Sequence, residues 1–485
     1  MATRTFDAVV IGAGPGGYVA AIRLAQLGKK VALVEKESLG GVCLNWGCIP
    51  SKALIAAANL VEDIRGASER GILADSPRVD LAKLREFKNG VVKKLVGGVG
   101  QLEKGNGVEV IKGTARFVSP TAIEVTGAEA APAEKLRLEA PAFILATGAR
   151  SIEIPGFSFD GKEVWSAREA VDLPELPKRL VVVGGGVIGL ELGTVYAKLG
   201  SEVTFLEALP TILSGIDAEA VRLVQKGLRQ RKATVHVNAM ARGFEKKGKE
   251  LVVRFEVGGA VQTVACDRIL VAVGMKPVID GLGLEAAGVK VGPKGFVEVD
   301  AQYRTSAPSV FAIGDLSGPP LLAHKASKDG EIAAEAIAGK KSARDWVAMP
   351  AAIFSDPEVA AVGLSEEQAR AAGHEPMIGK FAFAALGRAI AMDQTEGFVK
   401  VVGDKKTGLL LGVTICGPEA SDLIAEAALA LEMGAYVEDV ALTVHAHPTL
   451  PEAFMEACKA ALGEAIHALN RPERPARADM AVKKA

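Results

Sequence analysis

Apolar positions along this chain fall into short runs that stop at glycines. Phe6-Asp7-Ala8-Val9-Val10-Ile11 runs into Gly12-Ala13-Gly14-Pro15-Gly16-Gly17, and an apolar pattern of helical period continues through Leu27. Val31-Ala32-Leu33-Val34 follows and ends in Glu35. Brief apolar runs of this kind predict buried parallel strands, so the order is strand, glycine loop, helix, strand, acid. The order returns later: a strand over 179–183, the loop Gly184-Gly185-Gly186-Val187-Ile188-Gly189, a helix to about residue 199, a strand over 202–206, and Glu207. Gly12 and Glu35 are 23 positions apart (35 − 12), as are Gly184 and Glu207 (207 − 184).

Between the two copies, helical patterns are read over 51–66 and 80–104, then short alternating strands to about residue 138. Phe143-Ile144-Leu145 runs into the glycine turn Ala146-Thr147-Gly148, and residues 268–273 run into Gly274 in the same manner. Val310-Phe311-Ala312-Ile313 ends in Gly314-Asp315, and a helix rich in small residues is expected over 323–338. Residues 151–177, rich in Pro, Gly and charge, mark a boundary. From about residue 350, strands and helices alternate without a glycine fingerprint, and 423–433 has a broad apolar helical face. The charged, proline-bearing end after 469 reads as a mobile tail.

Glycines at these spacings allow a tight turn and let a pyrophosphate approach a helix N-terminus, and the acid closing each unit is placed to accept from a ribose. The weaker reading of either copy is a mere strand–helix turn. Two complete copies imply two dinucleotides, or one flavin and one nicotinamide dinucleotide. A length of 485 residues suggests two to four domains. The content, 49% hydrophobic and 5% aromatic, is that of an ordinary α/β enzyme. A net charge of −1 argues against nucleic-acid and membrane-surface roles. Glycines and charges interrupt the longest apolar runs, so no membrane span is expected. Five cysteines are too few for a secreted disulfide framework. The first strand is reached by Phe6, which leaves no room for a signal or transit peptide, and a cytoplasmic location is expected.

Two of the cysteines stand in Gly40-Gly41-Val42-Cys43-Leu44-Asn45-Trp46-Gly47-Cys48-Ile49-Pro50-Ser51-Lys52. On a regular helix a five-residue step rises about 7.5 Å, whereas a disulfide needs Cα atoms within about 7 Å. If these cysteines pair, the segment must wind irregularly, which Gly47 and Pro50 permit. The alternative is two unpaired structural thiols, since free Cys is usually buried and inert. Cys266, Cys416 and Cys458 carry no partner motif and read as buried apolar residues.

The cysteine stretch and both fingerprints resemble the pyridine nucleotide–disulfide oxidoreductases. Ala146-Thr147-Gly148, Gly314-Asp315, Leu322-Ala323-His324-Lys325 and His445-Ala446-His447-Pro448-Thr449 add to the likeness, which spans Phe6 to about Glu464 in family order. The resemblance implies two Rossmann-like domains, for FAD and NAD, plus a C-terminal α+β dimerisation domain. The FAD domain would comprise 1–150 and a central segment 276–349, the NAD domain 151–275, the dimer interface 350–470 and the tail 471–485.

By position in the family, Cys43 and Cys48 form the redox disulfide, with Cys48 next to the flavin and Cys43 exchanging with substrate. Lys52 and Glu191 match the ion pair beside the flavin. FAD contacts are implied at Gly12, Gly14, Gly17, Glu35, Lys36, Gly41, Val42, Lys52, Gly113, Ala146, Thr147, Gly148, Asp315, Leu322, Ala323 and His324. NAD contacts are implied at Gly184, Gly186, Gly189, Glu191, Glu207 and Gly274. No metal is expected. Thiol attack needs thiolate, and His447 is the candidate base. Glu452 has two readings, a partner for that histidine and a capping box with Thr449 opening a helix to about residue 468; one carboxylate is not expected to serve both fully. His445 and His324 read as structural or cofactor-adjacent.

The activity so implied is oxidation of a dihydrolipoyl dithiol with reduction of NAD+, in a homodimer. The N-terminus carries no lipoyl-domain motif, so the lipoyl group would come from another protein, a lipoyl domain of an acyltransferase core or a lipoyl carrier. Rivals are a glutathione-type reductase, which would place arginines near the position of Glu207, and a mercuric-type reductase, which needs a cysteine pair that does not follow Cys458. A non-catalytic flavoprotein subunit would not need Cys43, Cys48, Lys52, His447 and Glu452 together. Two departures stand out: Gly274-Met275-Lys276-Pro277-Val278 replaces the family's Gly-Arg-x-Pro-Asn, and Trp46 is bulkier than the usual aliphatic residue.

Overall fold

The computed structural model describes residues 2–127, 135–248 and 250–470; the expected tail, 471–485, lies outside the described residues. The chain divides into two compact units, Met1–Ser214 with Leu228–Asp345, and Gly215–Gly227 with Trp346–Ala485.

The first unit holds two parallel five-stranded sheets. One has the order Val310–Ala312, Phe143–Leu145, Ala8–Ile11, Val31–Glu35, Glu109–Lys112. The other runs Val164–Trp165, Arg268–Val271, Arg179–Val183, Glu202–Leu206, Thr234–His236. In both, the fingerprint strand is central, its successor lies on one side and a later strand on the other. The chain therefore reverses direction across the sheet at the fingerprint, which leaves a crevice at the strands' carboxyl ends.

The expected strand at Phe6 begins at Ala8. Phe6 instead donates its N–H to Glu139 O, and the Asp7 carboxylate accepts from the Lys30 N–H. The preceding strand Ala2–Thr5 joins a separate four-stranded sheet built from Leu136–Glu139, Ala122–Thr126 and Thr114–Ser119.

Helices α1 (Pro15–Gln26), α2 (Gly41–Trp46), α3 (Cys48–Gly66), α4 (Leu81–Gly105), α5 (Ala167–Asp172) and α6 (Val187–Leu199) complete the part that builds the site. Asp80 caps α4, accepting from the N–H groups of Ala82 and Lys83. One face of α3 is tied to α6. Lys52 Nζ meets Glu191 Oε2 at 2.8 Å, and Lys198 Nζ donates to Asn59 Oδ1 at 2.6 Å and pairs with Glu62 at 2.9 Å. Arg65 donates to Lys198 O at 2.7 Å, and Arg231 closes on Glu62 at 2.7 Å. Lys198 is only 3% exposed, so this is an ion-pair network largely removed from water rather than a surface ornament.

The second unit is an antiparallel sheet in the order Ala351–Ile353, Glu358–Gly363, Leu410–Gly417, Phe398–Asp404, Pro376–Ala382. Helices Ala420–Glu432 and Glu452–Leu462 pack on it around a core that includes Phe381, Val401, Ile415 and Phe454. Gly379 is required there: a Cβ would lie 1.9 Å from Ala457 O. The last helix stops at Leu462, short of the expected 468, because Gly463 takes a left-handed C-cap (φ 77°).

Candidate active site

The two fingerprints are superimposable in chemistry. Gly12 (φ +99°) and Gly184 (φ +111°) would each place a Cβ 2.4 Å from a carbonyl oxygen, of Ala146 and Ala272 respectively. At Gly17 and Gly189 a Cβ would strike the backbone of Gly12 and Gly184. By contrast Gly14 and Gly186, the N-cap residues of α1 and α6, look onto open space. Helix N-termini packed tightly against the sheet, with room at the cap, suit a pyrophosphate.

The two acids behave alike as well. Glu35 accepts from Ala13 N–H through Oε2 (2.8 Å) and from Glu37 N–H through Oε1 (2.7 Å). Glu207 accepts from Gly185 N–H (2.6 Å) and Leu209 N–H (2.7 Å) through the same two oxygens. Each carboxylate thus fixes its own loop and keeps further acceptor capacity on both oxygens.

Most of the other expected first-fingerprint contacts converge on that same end of the sheet. Gly41 begins α2, and a Cβ on it would meet Gly14 Cα at 2.8 Å; Val42 follows it. Gly113 donates to Glu35 O, next to Lys36 in sequence. Ala146 donates to Ile11 O, Thr147 Oγ1 donates to Val278 O at 2.6 Å, and Gly148 accepts from Val278 N–H. Asp315 lies in a short turn, Gly314–Ser317, and burial raises its carboxyl against the pull of Lys325. Leu322 is the N-cap of helix Ala323–Ile337, so Ala323 and His324 open its first turn. On the second sheet Gly274 (φ +133°) follows the strand that packs on Gly184.

The cysteine stretch winds irregularly, as its composition requires. Helix α2 ends at Trp46, Gly47 interrupts, and α3 starts at Cys48. A Cβ on Gly47 would lie 2.8 Å from Val42 O and 3.2 Å from Cys43 Cα, so only glycine lets the two turns close up. Both cysteines are free thiols here. The hydrogen bond from Cys43 pushes the Cys48 thiol down to about 7, against burial and with help from the Lys52 ammonium one turn along α3. That same bond, burial and the Cys48 charge push Cys43 up. One contact thus shifts the two thiols in opposite directions, Cys48 down and Cys43 up. Cys266, Cys416 and Cys458 are buried, and burial pushes the first two thiols up to about 12.

In the second unit, His447 Nδ1 stands 2.9 Å from Glu452 Oε1, and the ring is 78% exposed, leaving Nε2 outward. Glu452 Oε2 accepts from the Thr449 N–H at 2.7 Å. Each oxygen of Glu452 takes one contact: Oε1 meets the His447 ring, and Oε2 supplies the carboxylate half of the expected capping box. The other half of the box does not form: the helix is N-capped at Pro451 with no side-chain bond, and Thr449 Oγ1 donates back to Ala446 O. Although burial opposes it, the Thr449 amide and the His447 ring hold the Glu452 carboxyl below its usual range.

Three features escaped the sequence reading. Lys325 and Asp329 form a buried pair (2.7 Å; 4% and 0% exposed), and Asp329 Oδ2 also accepts from Gly314 N–H, fixing the turn that carries Asp315. Their i,i+4 spacing was the available signal. Arg168 lies 4.0 Å over the Trp46 ring and pairs with Glu37 at 2.7 Å, so the bulky departure is capped by a cation. Tyr18, on α1, is raised by burial and by the charges of Cys43 and Glu103.

Residues 6–330 match the pyridine nucleotide-disulphide oxidoreductase family, and residues 349–458 match its dimerisation domain. A dihydrolipoyl dehydrogenase of Geobacillus stearothermophilus is 50% identical over 465 residues, 96% of this chain and 98% of the relative. One from Thermus scotoductus is 51% identical over 471 residues, 96% of this chain and 100% of the relative. Among solved structures, LpdA from Mycobacterium tuberculosis superposes with a TM-score of 0.86 at 28% identity, covering 95% of this chain and 99% of that one. The HOCl-induced flavoprotein disulfide reductase RclA from Escherichia coli gives 0.82 at 28% identity over 93% and 99%. No helix among the described residues is long and apolar enough to cross a membrane.

Proposed function

The chain belongs to the pyridine nucleotide-disulphide oxidoreductases, and we propose that it works there as a dihydrolipoyl dehydrogenase, oxidising a protein-borne dihydrolipoyl dithiol with NAD+ as acceptor. Its cofactors are FAD, which takes the electron pair from the cysteine dithiol when bound, and NAD+, which removes it as hydride. The first fingerprint with Glu35, Lys36, Gly41, Val42, Gly113, residues 146–148, Asp315 and residues 322–324 is assigned to FAD. The second, with Glu207 and Gly274, is assigned to NAD. Residues 1–150 with 276–349, 151–275 and 350–470 are the corresponding FAD, NAD and dimer-interface domains.

The observation that carries the reading is geometric: Gly47 lets the turns bearing Cys43 and Cys48 close on each other, and the Lys52–Glu191 ion pair lies one turn along α3, where the ammonium lowers the Cys48 thiol. His447 Nε2 takes a proton from one substrate thiol while Glu452 steadies the ring through Nδ1. The substrate thiolate attacks Cys43 Sγ of the oxidised pair, and the Cys43–Cys48 bond breaks with its electrons left on Cys48 as thiolate. The second substrate thiol loses its proton to solvent and closes the lipoyl disulfide. Cys43 leaves and recovers the proton from His447. The balance is one lipoyl disulfide gained and one cysteine disulfide reduced.

The dimerisation domain supports a homodimer, in which His447 of one protomer serves the thiols of its partner. The partners proposed beyond that are the lipoyl domain of an acyltransferase core in a 2-oxo acid dehydrogenase complex, or a lipoyl carrier of the glycine-cleavage type; a cytoplasmic setting suits either. Steady-state turnover with dihydrolipoamide and NAD+, with glutathione disulfide, and with Hg(II) tests the reading. Preference for dihydrolipoamide is expected; faster turnover of either alternative overturns it.

A further inference from the structure

Two residues before His447, the ring of His445 is held from both sides. Its Nδ1 stands 2.9 Å from the carbonyl oxygen of Thr443, and its Nε2 stands 2.9 Å from Oε1 of Glu426 on helix Ala420–Glu432. The side chain is 5% exposed, against 78% for His447. Both partners only accept, so both contacts hold together when both ring nitrogens carry hydrogen. A ring held between a carbonyl and a carboxylate oxygen at 2.9 Å on each side is fixed in orientation.

The loop that presents His447 is thus pinned at both ends. Upstream, His445 fastens it to helix Ala420–Glu432. Downstream, the Thr449 N–H and the His447 ring fasten it to the two oxygens of Glu452 on helix Glu452–Leu462. His445 cannot itself relay a substrate proton, because it is buried with both nitrogens engaged. The charged groups around it are Glu426 from one helix, Glu452 from the other and His447 from the loop. Asp439 of helix Val437–Leu442 is taken by the Tyr436 N–H. Glu452 registers the His445 charge, which adds to that of His447 in lowering its carboxyl.

We propose that His445 is a positioning residue for the base: its tie to Glu426 fixes the backbone that aims the His447 ring. The inference rests on the reading of His447 as the base that deprotonates the substrate dithiol. Placement errors of about 1 Å can cost on the order of a hundredfold in rate, so a clamp two residues away has leverage without touching substrate.

The test compares His445→Ala, His445→Gln and His447→Gln as FAD-loaded full-length dimers. Two activities are read: dihydrolipoamide oxidation by NAD+, and NADH oxidation by ferricyanide, which needs the flavin but no base. His445→Ala is expected to lower the first on the order of tenfold to a hundredfold while FAD content and the second stay at wild-type levels. His445→Gln, whose amide can still donate to Glu426, is expected to recover part of the loss. The proposal is overturned if His445→Ala keeps dithiol turnover within about twofold of wild type while His447→Gln loses it. It is also overturned if both activities and FAD retention fall together in the two His445 variants, the mark of a merely structural residue. Full dithiol turnover in His447→Gln would instead overturn the base assignment, and the inference with it.

Discussion

Lys52 Nζ lies 2.8 Å from Glu191 Oε2, on a helix that starts at Cys48, so one ammonium serves both a carboxylate and a thiolate. In the reduced protein, the long-wavelength absorption of a thiolate beside flavin is expected to titrate with a midpoint near about 7. Lys52→Met removes the attraction and leaves Glu191 opposing the thiolate, which moves the midpoint up by about one unit or more. Cys48→Ser abolishes the band and dithiol turnover while FAD stays bound. A band that survives in that variant would reverse the roles of Cys43 and Cys48.

Coenzyme choice follows from Glu207. Its two oxygens are anchored by backbone N–H groups, so the negative charge cannot swing away from a 2′-phosphate. Preference for NAD+ over NADP+ in kcat/KM is expected to reach about a hundredfold or more, as a like-charge clash costs several kcal/mol. Glu207→Arg with supporting basic residues is expected to erase or reverse it. Equal wild-type efficiency with both coenzymes contradicts the assignment.

Sharing of the active site between protomers is measurable by complementation. Cys43→Ser and His447→Ala, each inactive alone, are unfolded and refolded as a mixture. Random pairing makes about half the molecules mixed dimers, each with one intact site and one doubly defective site, so activity returns to about a quarter of wild type. Mixed dimers that form but stay inactive would place His447 beside the thiols of its own chain.

Glu103 on α4 is fully buried, and neither carboxyl oxygen has a hydrogen-bond partner. Burial pushes its carboxyl up to about 8 from an ordinary value of 4.5. The folded chain keeps a proton that the unfolded chain releases, so this residue makes stability fall as pH rises between those values, by up to about 1.4 kcal/mol per pH unit. Glu103→Gln is expected to gain on wild type between pH 5 and pH 8 in urea melts. An equal difference at both pH values would show that the carboxyl is not titrating in that range.

Both nucleotide folds were legible because their signals are local: a run of four or five apolar residues, a glycine loop and an acid at fixed distance, as at Gly12 and Glu35. The exchange loop was legible as residues but not as geometry; Gly47 signalled a break, whereas the thiol hydrogen bond depends on how tightly two turns close. Glu452 was legible as a neighbour of both His447 and Thr449, but the way its contacts divide was not, because a sequence does not reveal which oxygen faces which group. The pairs Lys198–Glu62 and Arg168–Trp46 join positions more than a hundred residues apart, and no periodicity within one helix encodes them. Gly463 could have ended the last helix in the reading, since glycine after an apolar pattern is a stop signal.

The ties from α3 to α6 have an evolutionary corollary. Lys52, Asn59, Glu62 and Arg65 span about 20 Å of helix, and their partners sit on the other nucleotide fold. A chimera that imports a foreign nicotinamide-binding module would keep every glycine of its fingerprint and still arrive with the wrong seam. The transplantable cassette is therefore the helix pair with the residues that lace it, and natural recombination between relatives is expected to break outside it.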